Sequence, residues 1–98
     1  MEHPKTRLAD KMSQRAETFT PSDRVIADYL LHAYPLSLLQ NASEIADELD
    51  INTTTVTRFF PKIGYRNIRE ARTDFRHDIA FMVNSPLDRF HSKRLEST

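Results

Sequence analysis

Only one glycine, Gly64, occurs among the 98 residues of this chain. Glycine is the residue that most readily adopts the left-handed conformations of tight turns, so a chain with a single glycine is poorly suited to a sheet with many hairpins. Charged residues make up 29% of the sequence, and runs of β-branched residues are few. The composition therefore predicts an all-α domain with a core of modest size.

The same composition excludes several classes of protein. One glycine cannot form a Gly-rich phosphate loop, and the absence of cysteine excludes disulfides and thiolate zinc sites. The longest apolar run, at 79–83, is far shorter than the roughly 20 residues that span a bilayer. The first residues contain no signal-peptide pattern, and the four histidines show no metal-ligand spacing. We therefore expect a soluble, cytoplasmic protein with no membrane partner, no cofactor, no metal and no catalytic residues.

Three capping signals divide the chain into helices. Thr20, Asn41 and Asn67 each precede an acidic residue three positions later, which is typical of a helix start. Together with the spacing of apolar residues, they predict helices over about 5–18, 21–34, 42–49, 53–63 and 68–82. The leucines between Pro35 and Gln40 are expected to form one turn that enters the core. The fold class is a bundle of five to six helices.

The third and fourth predicted helices are separated only by residues 50–52, so they are expected to cross at roughly 90–120°. Such a turn needs a residue that tolerates a left-handed conformation, and Asp50 is placed for that role. The apolar positions of a helix-turn-helix are filled in order by Ile45, Ala46, Leu49, Ile51, Val56 and Phe59. The pattern predicts a homeodomain-like helix-turn-helix without a wing. It also fits a helical interaction or dimerisation module that does not bind DNA.

The net charge is zero, but the two halves of the chain differ in charge. Residues 1–50 hold 5 basic and 9 acidic side chains, whereas 51–98 hold 9 basic and 5 acidic ones. The polar side of the fourth helix and the start of the fifth are therefore predicted to contact double-stranded DNA. The predicted DNA-binding residues are Asn52, Thr53, Thr54, Thr57, Arg58, Lys62, Arg66 and Arg69. The alternative is a solvated helix face whose arginines pair with nearby carboxylates.

Two further features concern Pro61 and the end of the fifth helix. Pro61 removes a backbone hydrogen bond to the Thr57 carbonyl, so the fourth helix is expected to kink or end there. Residues 79–83 are apolar on almost every side, although a lone surface helix should have a polar face. This surplus predicts a homodimer whose interface contains Ile79, Phe81, Met82 and Val83.

Four sequence blocks resemble the N-terminal helix-turn-helix domain of RpiR-type transcriptional regulators. They read TPSDRVIADYLL at 20–31, ASEIA at 42–46, TVTRF at 55–59 and KIGY at 62–65. The resemblance implies an all-helical domain that binds DNA as a dimer, with 53–63 as the recognition helix and Arg58 in the family's arginine position. The sequence departs from the family pattern at Asp50, where glycine is common, at Pro61 inside the recognition helix, and at Asn67, where a small residue is common.

The resemblance also implies a division of the chain. Residues 1–83 correspond to the DNA-binding domain, and 84–98 to a linker or tail toward a sugar-isomerase-like (SIS) effector domain that is absent from the 98 residues. In the family, that effector domain binds phosphorylated sugars and controls the affinity for the operator. The resemblance therefore implies a bacterial regulator, of sugar metabolism, whose phosphosugar effector acts only through the missing C-terminal domain.

Overall fold

The computed structural model describes residues 4–83, which form six α-helices and two short 3₁₀ turns. The helices are α1 (Pro4–Arg15), α2 (Pro21–His32), α3 (Ala42–Leu49), α4 (Thr53–Lys62), α5 (Ile68–Asp74) and α6 (Arg76–Val83), and the turns are Ala16–Thr18 and Leu36–Leu39. No strand occurs between residues 4 and 83, and the all-α prediction is confirmed. No helix in this range is long and apolar enough to cross a membrane. The predicted tail at 84–98 lies outside the described residues.

The three predicted helix starts are confirmed, and at each of them a side chain caps the helix by accepting a backbone N–H. At α2, Thr20 Oγ1 accepts the Asp23 N–H at 3.1 Å, while Asp23 Oδ2 accepts the Thr20 N–H at 2.9 Å. Asn41 and Glu44 exchange the same two hydrogen bonds at the start of α3, and the Asn67 side chain caps α5. These bonds satisfy backbone N–H groups that a helix N-terminus leaves free, so they fix where the helices begin.

The core is built around α4, which packs mainly against α3 and α2. Val56, Phe59 and Phe60 of α4 are fully buried, and the Phe59 ring lies 5.4 Å from the ring of Phe19, measured between centroids. The other buried apolar residues are Leu8, Met12, Ile26, Ala27, Leu30, Leu38, Ile45, Ala46, Ile63, Tyr65, Ala71, Phe75 and Ile79. The position of α4 is thus set by the apolar side chains that surround it.

The connector after α2 is a single 3₁₀ turn, but only part of it enters the core. Leu38 is fully buried, and the Ser37 hydroxyl donates a hydrogen bond to the Leu30 carbonyl at 2.9 Å. Leu36 and Leu39 remain 43% and 48% exposed, against the expectation for these leucines. In a 3₁₀ turn, residues three apart lie on the same side, so Leu36 and Leu39 together face away from the side that Leu38 occupies.

The prediction of one continuous helix over 68–82 is wrong, because the chain breaks at Phe75. The backbone there has φ −113° and ψ 23°, which is not α-helical. The Phe75 ring is buried and packs edge-on against the rings of Tyr34 and Tyr65, at 5.7 and 6.3 Å between centroids. The break is short, since the Phe75 N–H still bonds to the Ala71 carbonyl at 3.2 Å. The apolar spacing therefore continues across it, and the sequence pattern gives no sign of it.

Charged and polar side chains connect α1 to the break at Phe75. The Arg7 guanidinium lies 4.6 Å from the centre of the Phe75 ring and forms an ion pair with Asp74 at 3.1 Å. The Tyr65 hydroxyl also donates to the Asp74 carboxylate. Burial raises the pKa of Asp74, but the hydrogen bonds from Tyr65 and Arg7 lower it by more, so the pKa lies below the ordinary value of 3.8.

This network should make the stability of the domain depend on pH. The Asp74 pKa is lower in the folded than in the unfolded chain, so the contribution of this carboxylate is complete above about pH 5 and is lost as the pH falls through the folded-state value. We expect the free energy of unfolding of Asp74→Asn to fall less steeply than that of the parent between about pH 5 and about pH 2. Urea titrations at a series of pH values measure both slopes.

The control for loss of a negative charge is Asp47→Asn, since Asp47 is exposed on α3 and has no ion pair within residues 4–83. Identical slopes for Asp74→Asn and the parent would contradict the role given to this carboxylate.

Candidate nucleic-acid interface

The turn between α3 and α4 has the predicted left-handed residue. Asp50 has φ 57° and ψ 47°. The N–H of the next residue, Ile51, bonds back to the Ala46 carbonyl at 3.0 Å, and the Asp50 N–H bonds to the Asp47 carbonyl at 3.3 Å. This bonding pattern is a Schellman motif, which usually has glycine at the left-handed position. The backbone thus makes the tight turn that a helix-turn-helix requires.

The cap of α4 is Asn52. Its side-chain oxygen accepts the Thr54 N–H at 2.7 Å, and its backbone carbonyl accepts the Thr55 N–H at 3.0 Å. Asn52 is exposed. The helix uses one lone pair of the side-chain oxygen, and no hydrogen bond within residues 4–83 uses the amide N–H groups of Asn52, which can therefore donate to DNA.

One side of α4 is buried and the opposite side is exposed. The exposed side carries Thr53, Thr54, Thr57 and Arg58. The Thr57 hydroxyl donates to the Thr54 carbonyl at 2.9 Å, so its proton is used within the helix and its lone pairs remain able to accept. The exposed side of α4 thus consists of three short polar side chains and one long guanidinium.

The far end of α4 lies just beyond Pro61. The helix ends one residue later, in agreement with the expectation that Pro61 ends or kinks it. The end is a second Schellman motif, in which the Tyr65 N–H bonds to the Phe60 carbonyl at 3.0 Å and Gly64 has φ 98°. A Cβ added to Gly64 would meet no atom within 4 Å, so conformation rather than space requires glycine here.

Lys62, the last residue of α4, has a partner inside the protein. Its ammonium donates to Oδ2 of Asp23 in α2, and Asp23 is only 2% exposed. Burial raises the pKa of Asp23, but the hydrogen bonds from Lys62 and the Thr20 N–H lower it by more, so the pKa lies below 3.8. The sequence signals identified Asp23 as a cap residue only, since nothing local indicates a partner 39 positions away.

Arg66 and Arg69 are exposed at the start of α5. The backbone N–H of Arg66 donates to the Glu70 carboxylate at 2.7 Å, whereas no side-chain ion pair of either arginine occurs within residues 4–83. Arg69 lines a cleft of about 260 Å³ together with Asn41 and Asn67, the residues that cap α3 and α5. This cleft brings a cation and polar side chains to one edge of the helix-turn-helix.

Arg72 lies in the same cleft but is directed into the protein. Its Nε donates to the Leu38 carbonyl at 2.7 Å, and its Nη2 donates to the Gln40 carbonyl at 3.2 Å. Arg72 thus holds the segment that precedes α3. Sequence reasoning missed this anchoring role.

The end of α6 exposes apolar side chains. Phe81, Met82 and Val83 are 68%, 40% and 54% exposed, whereas Ile79 is buried in the core of the monomer. Ile79 therefore has almost no surface left for a partner, and the exposed apolar surface of α6 consists of the other three residues.

A scan against models of protein families matches residues 6–81 to the model described as "Helix-turn-helix domain, rpiR family". The chain belongs to this family. Comparisons with curated proteins and with solved structures give no significant match. The rpiR-family domain is a DNA-binding domain of transcription regulators rather than a catalytic one, which agrees with the division of α4 into a buried and an exposed side.

The rpiR-family assignment agrees with the placement of most predicted contact residues. All of them except Lys62 are exposed, and they lie on the turn before α4, on α4 and at the start of α5. Half-buried Lys62 is the one whose charge already has a partner. DNA contact by each of these residues stays a prediction.

Asp50 departs from the family's glycine at a position where the backbone is left-handed. Replacing it should therefore remove steric strain. We expect Asp50→Gly to raise the free energy of unfolding by roughly 0.5–1 kcal/mol, measured by urea denaturation. The matched control is Gly64→Ala, which adds a Cβ at a left-handed position with open space around it and should cost about 1 kcal/mol. A lower stability of Asp50→Gly would mean that the Asp50 side chain itself supports the turn.

Proposed function

We propose that α4 is the sequence-reading helix of this rpiR-family domain and that it lies in the major groove of double-stranded DNA. The observation that carries the proposal is the division of α4, whose Val56, Phe59 and Phe60 are buried while its threonines and Arg58 are exposed. A helix held from one side in this way presents the other side in a fixed orientation. An α-helix fits the width of the major groove.

The exposed residues of α4 have the chemistry to read base edges. Arg58 can donate two parallel hydrogen bonds to a guanine edge, or bind a phosphate. The Thr53 and Thr54 hydroxyls can accept from bases or donate to them, the Thr57 hydroxyl can accept, and the threonine methyl groups can pack against a thymine methyl. Asn52 adds its amide N–H groups at the beginning of the helix.

Arg66 and Arg69 extend the contact to the DNA backbone. Both charges are exposed near the start of α5, and Arg69 lies beside the cap of α3. Arginines of this kind bind phosphates and fix the register of a protein on the duplex without reading sequence.

The domain acts as a homodimer that joins through Phe81, Met82 and Val83. Together these side chains form an exposed apolar surface at the end of α6, which a second copy can bury. Two copies would place two recognition helices on half-sites about 34 Å apart, one turn of DNA. The regulator controls genes of sugar metabolism and responds to a phosphorylated sugar through an effector domain outside these 98 residues. Membership of the rpiR family supports the proposed role in sugar metabolism and the proposed response to a phosphorylated sugar.

DNA binding is tested by fluorescence anisotropy with duplexes that the parent chain selects from a random-sequence library. We expect Arg58→Ala to weaken binding to a selected duplex by roughly 1–3 kcal/mol and to relax its sequence preference. The control is Arg24→Ala, which removes an exposed arginine of α2 beside the groove between α1 and α2. A parent chain that binds no duplex, even at low salt, would leave the second candidate, a helical interaction module, as the function.

The dimer is tested by analytical ultracentrifugation. We expect the parent to sediment as a dimer and Phe81→Glu as a monomer, because a buried carboxylate at the centre of an apolar interface is costly. Val25→Glu places the same change on α2, where Val25 is 45% exposed, and should leave the dimer intact. A Phe81→Glu variant that still sediments as a dimer would place the interface elsewhere.

A further inference from the structure

The buried carboxylate of Asp23 receives two donors on one oxygen. The Thr20 N–H donates to Oδ2 at 2.9 Å, and the Lys62 ammonium donates to the same atom. Asp23 is 2% exposed, whereas the Lys62 side chain is 31% exposed. The carboxylate is thus inside the protein, and the lysine reaches it from the surface.

A buried carboxylate without a partner is unfavourable by several kcal/mol. Among the described residues, Lys62 is the cation that pairs with Asp23. If Lys62 turned outward to a phosphate, Asp23 would keep only the Thr20 N–H. The charge of Lys62 is therefore already balanced, and a balanced lysine does not displace a counterion from DNA.

The pair also joins two elements that matter for DNA binding. Asp23 lies in the first turn of α2, and Lys62 is the last residue of α4. The helix is weak at that point, because Pro61 leaves the Thr57 carbonyl without its helical hydrogen bond. A second contact comes from the residues just before α2, where the Phe19 ring packs against the Phe59 ring. The segment 19–23 thus holds α4 at two successive turns.

We propose that Asp23 and Lys62 form a positioning pair, which fixes the C-terminal half of α4 against α2 and thereby sets the geometry with which α4 reads DNA, while Lys62 itself contacts no phosphate. The inference rests on the proposed function, since it assumes that α4 is the reading helix. It replaces the sequence prediction for Lys62 with a different role.

The main test uses the double variant Asp23→Asn/Lys62→Met, because it removes both charges together. The asparagine keeps an oxygen that can accept the Thr20 N–H, and methionine keeps the length of the lysine stem. The single variant Lys62→Met leaves the buried carboxylate unpaired and serves as a stability measurement. Lys62→Arg keeps the ion pair and is the rescue variant. Arg69→Met, at an exposed arginine of α5, is the matched control for a lost phosphate contact.

Two quantities are measured on a selected duplex of about 30 base pairs, long enough for two half-sites one turn apart, and on a scrambled duplex of equal length. One is the slope of the logarithm of the binding constant against the logarithm of the salt concentration. The other is the ratio of the affinity for the selected duplex to the affinity for the scrambled duplex. Circular dichroism confirms that each variant is folded at the temperature used.

For the double variant we expect an unchanged salt slope, and a ratio of affinities that falls roughly tenfold, the equivalent of about one good base contact. Lys62→Arg should keep the parent's ratio. Arg69→Met should show the opposite behaviour, with the slope reduced in magnitude by about 0.9 for each chain, or about 1.8 for the dimer, and the ratio nearly unchanged.

If the salt slope of the double variant is reduced in magnitude, as that of Arg69→Met is expected to be, the proposal is overturned and Lys62 is a phosphate contact. A double variant with the parent's slope and the parent's ratio would also overturn it, because the pair would then only stabilise the fold. Both outcomes leave DNA binding by α4 intact, whereas a parent chain without affinity for any duplex would refute the proposed function itself.

Discussion

The burial of one side of α4 is the interaction on which the rest of the structure depends. α4 has only 10 residues, and isolated helices shorter than about 12–15 residues are marginal in water. Its helical state therefore comes from the packing of Val56, Phe59 and Phe60 among the surrounding helices. The same packing decides which residues face outward, so the stability of the core and the orientation of the candidate DNA-reading surface have one physical origin.

Features that depend on near neighbours in the chain could be predicted from the sequence. The caps at Thr20, Asn41 and Asn67 each join residues three positions apart. The left-handed conformations of Asp50 and Gly64 follow from the residues that tolerate them at the end of a helix. Because these signals mark both ends of the helix-turn-helix, the amino-acid sequence alone was sufficient to infer its boundaries and the exposed side of α4.

Features that depend on distant parts of the chain could not be predicted. The partner of Lys62 is 39 positions away, and the carbonyl that Arg72 binds at Leu38 is 34 positions away. The break at Phe75 is fixed by aromatic rings from other elements, while the apolar spacing on its own helix stays regular. An arginine or lysine looks the same in the sequence whether it faces DNA or holds two helices together, and only the fold distinguishes the two.

The difference between cations that face outward and cations that bind inside the protein changes how the positive charge of the second half of the chain should be interpreted. The stretch 51–77 contains six basic residues, Arg58, Lys62, Arg66, Arg69, Arg72 and Arg76. Within residues 4–83, Lys62 is paired with Asp23, and Arg72 and Arg76 donate to backbone carbonyls. A salt slope derived from all six would be about −5, whereas the three arginines proposed to contact DNA, Arg58, Arg66 and Arg69, give about −3 for each chain. Lys62 holds the end of α4, and Arg72 holds the segment before α3. These two cations therefore orient the helix-turn-helix, whereas the exposed arginines are the cations available to bind DNA.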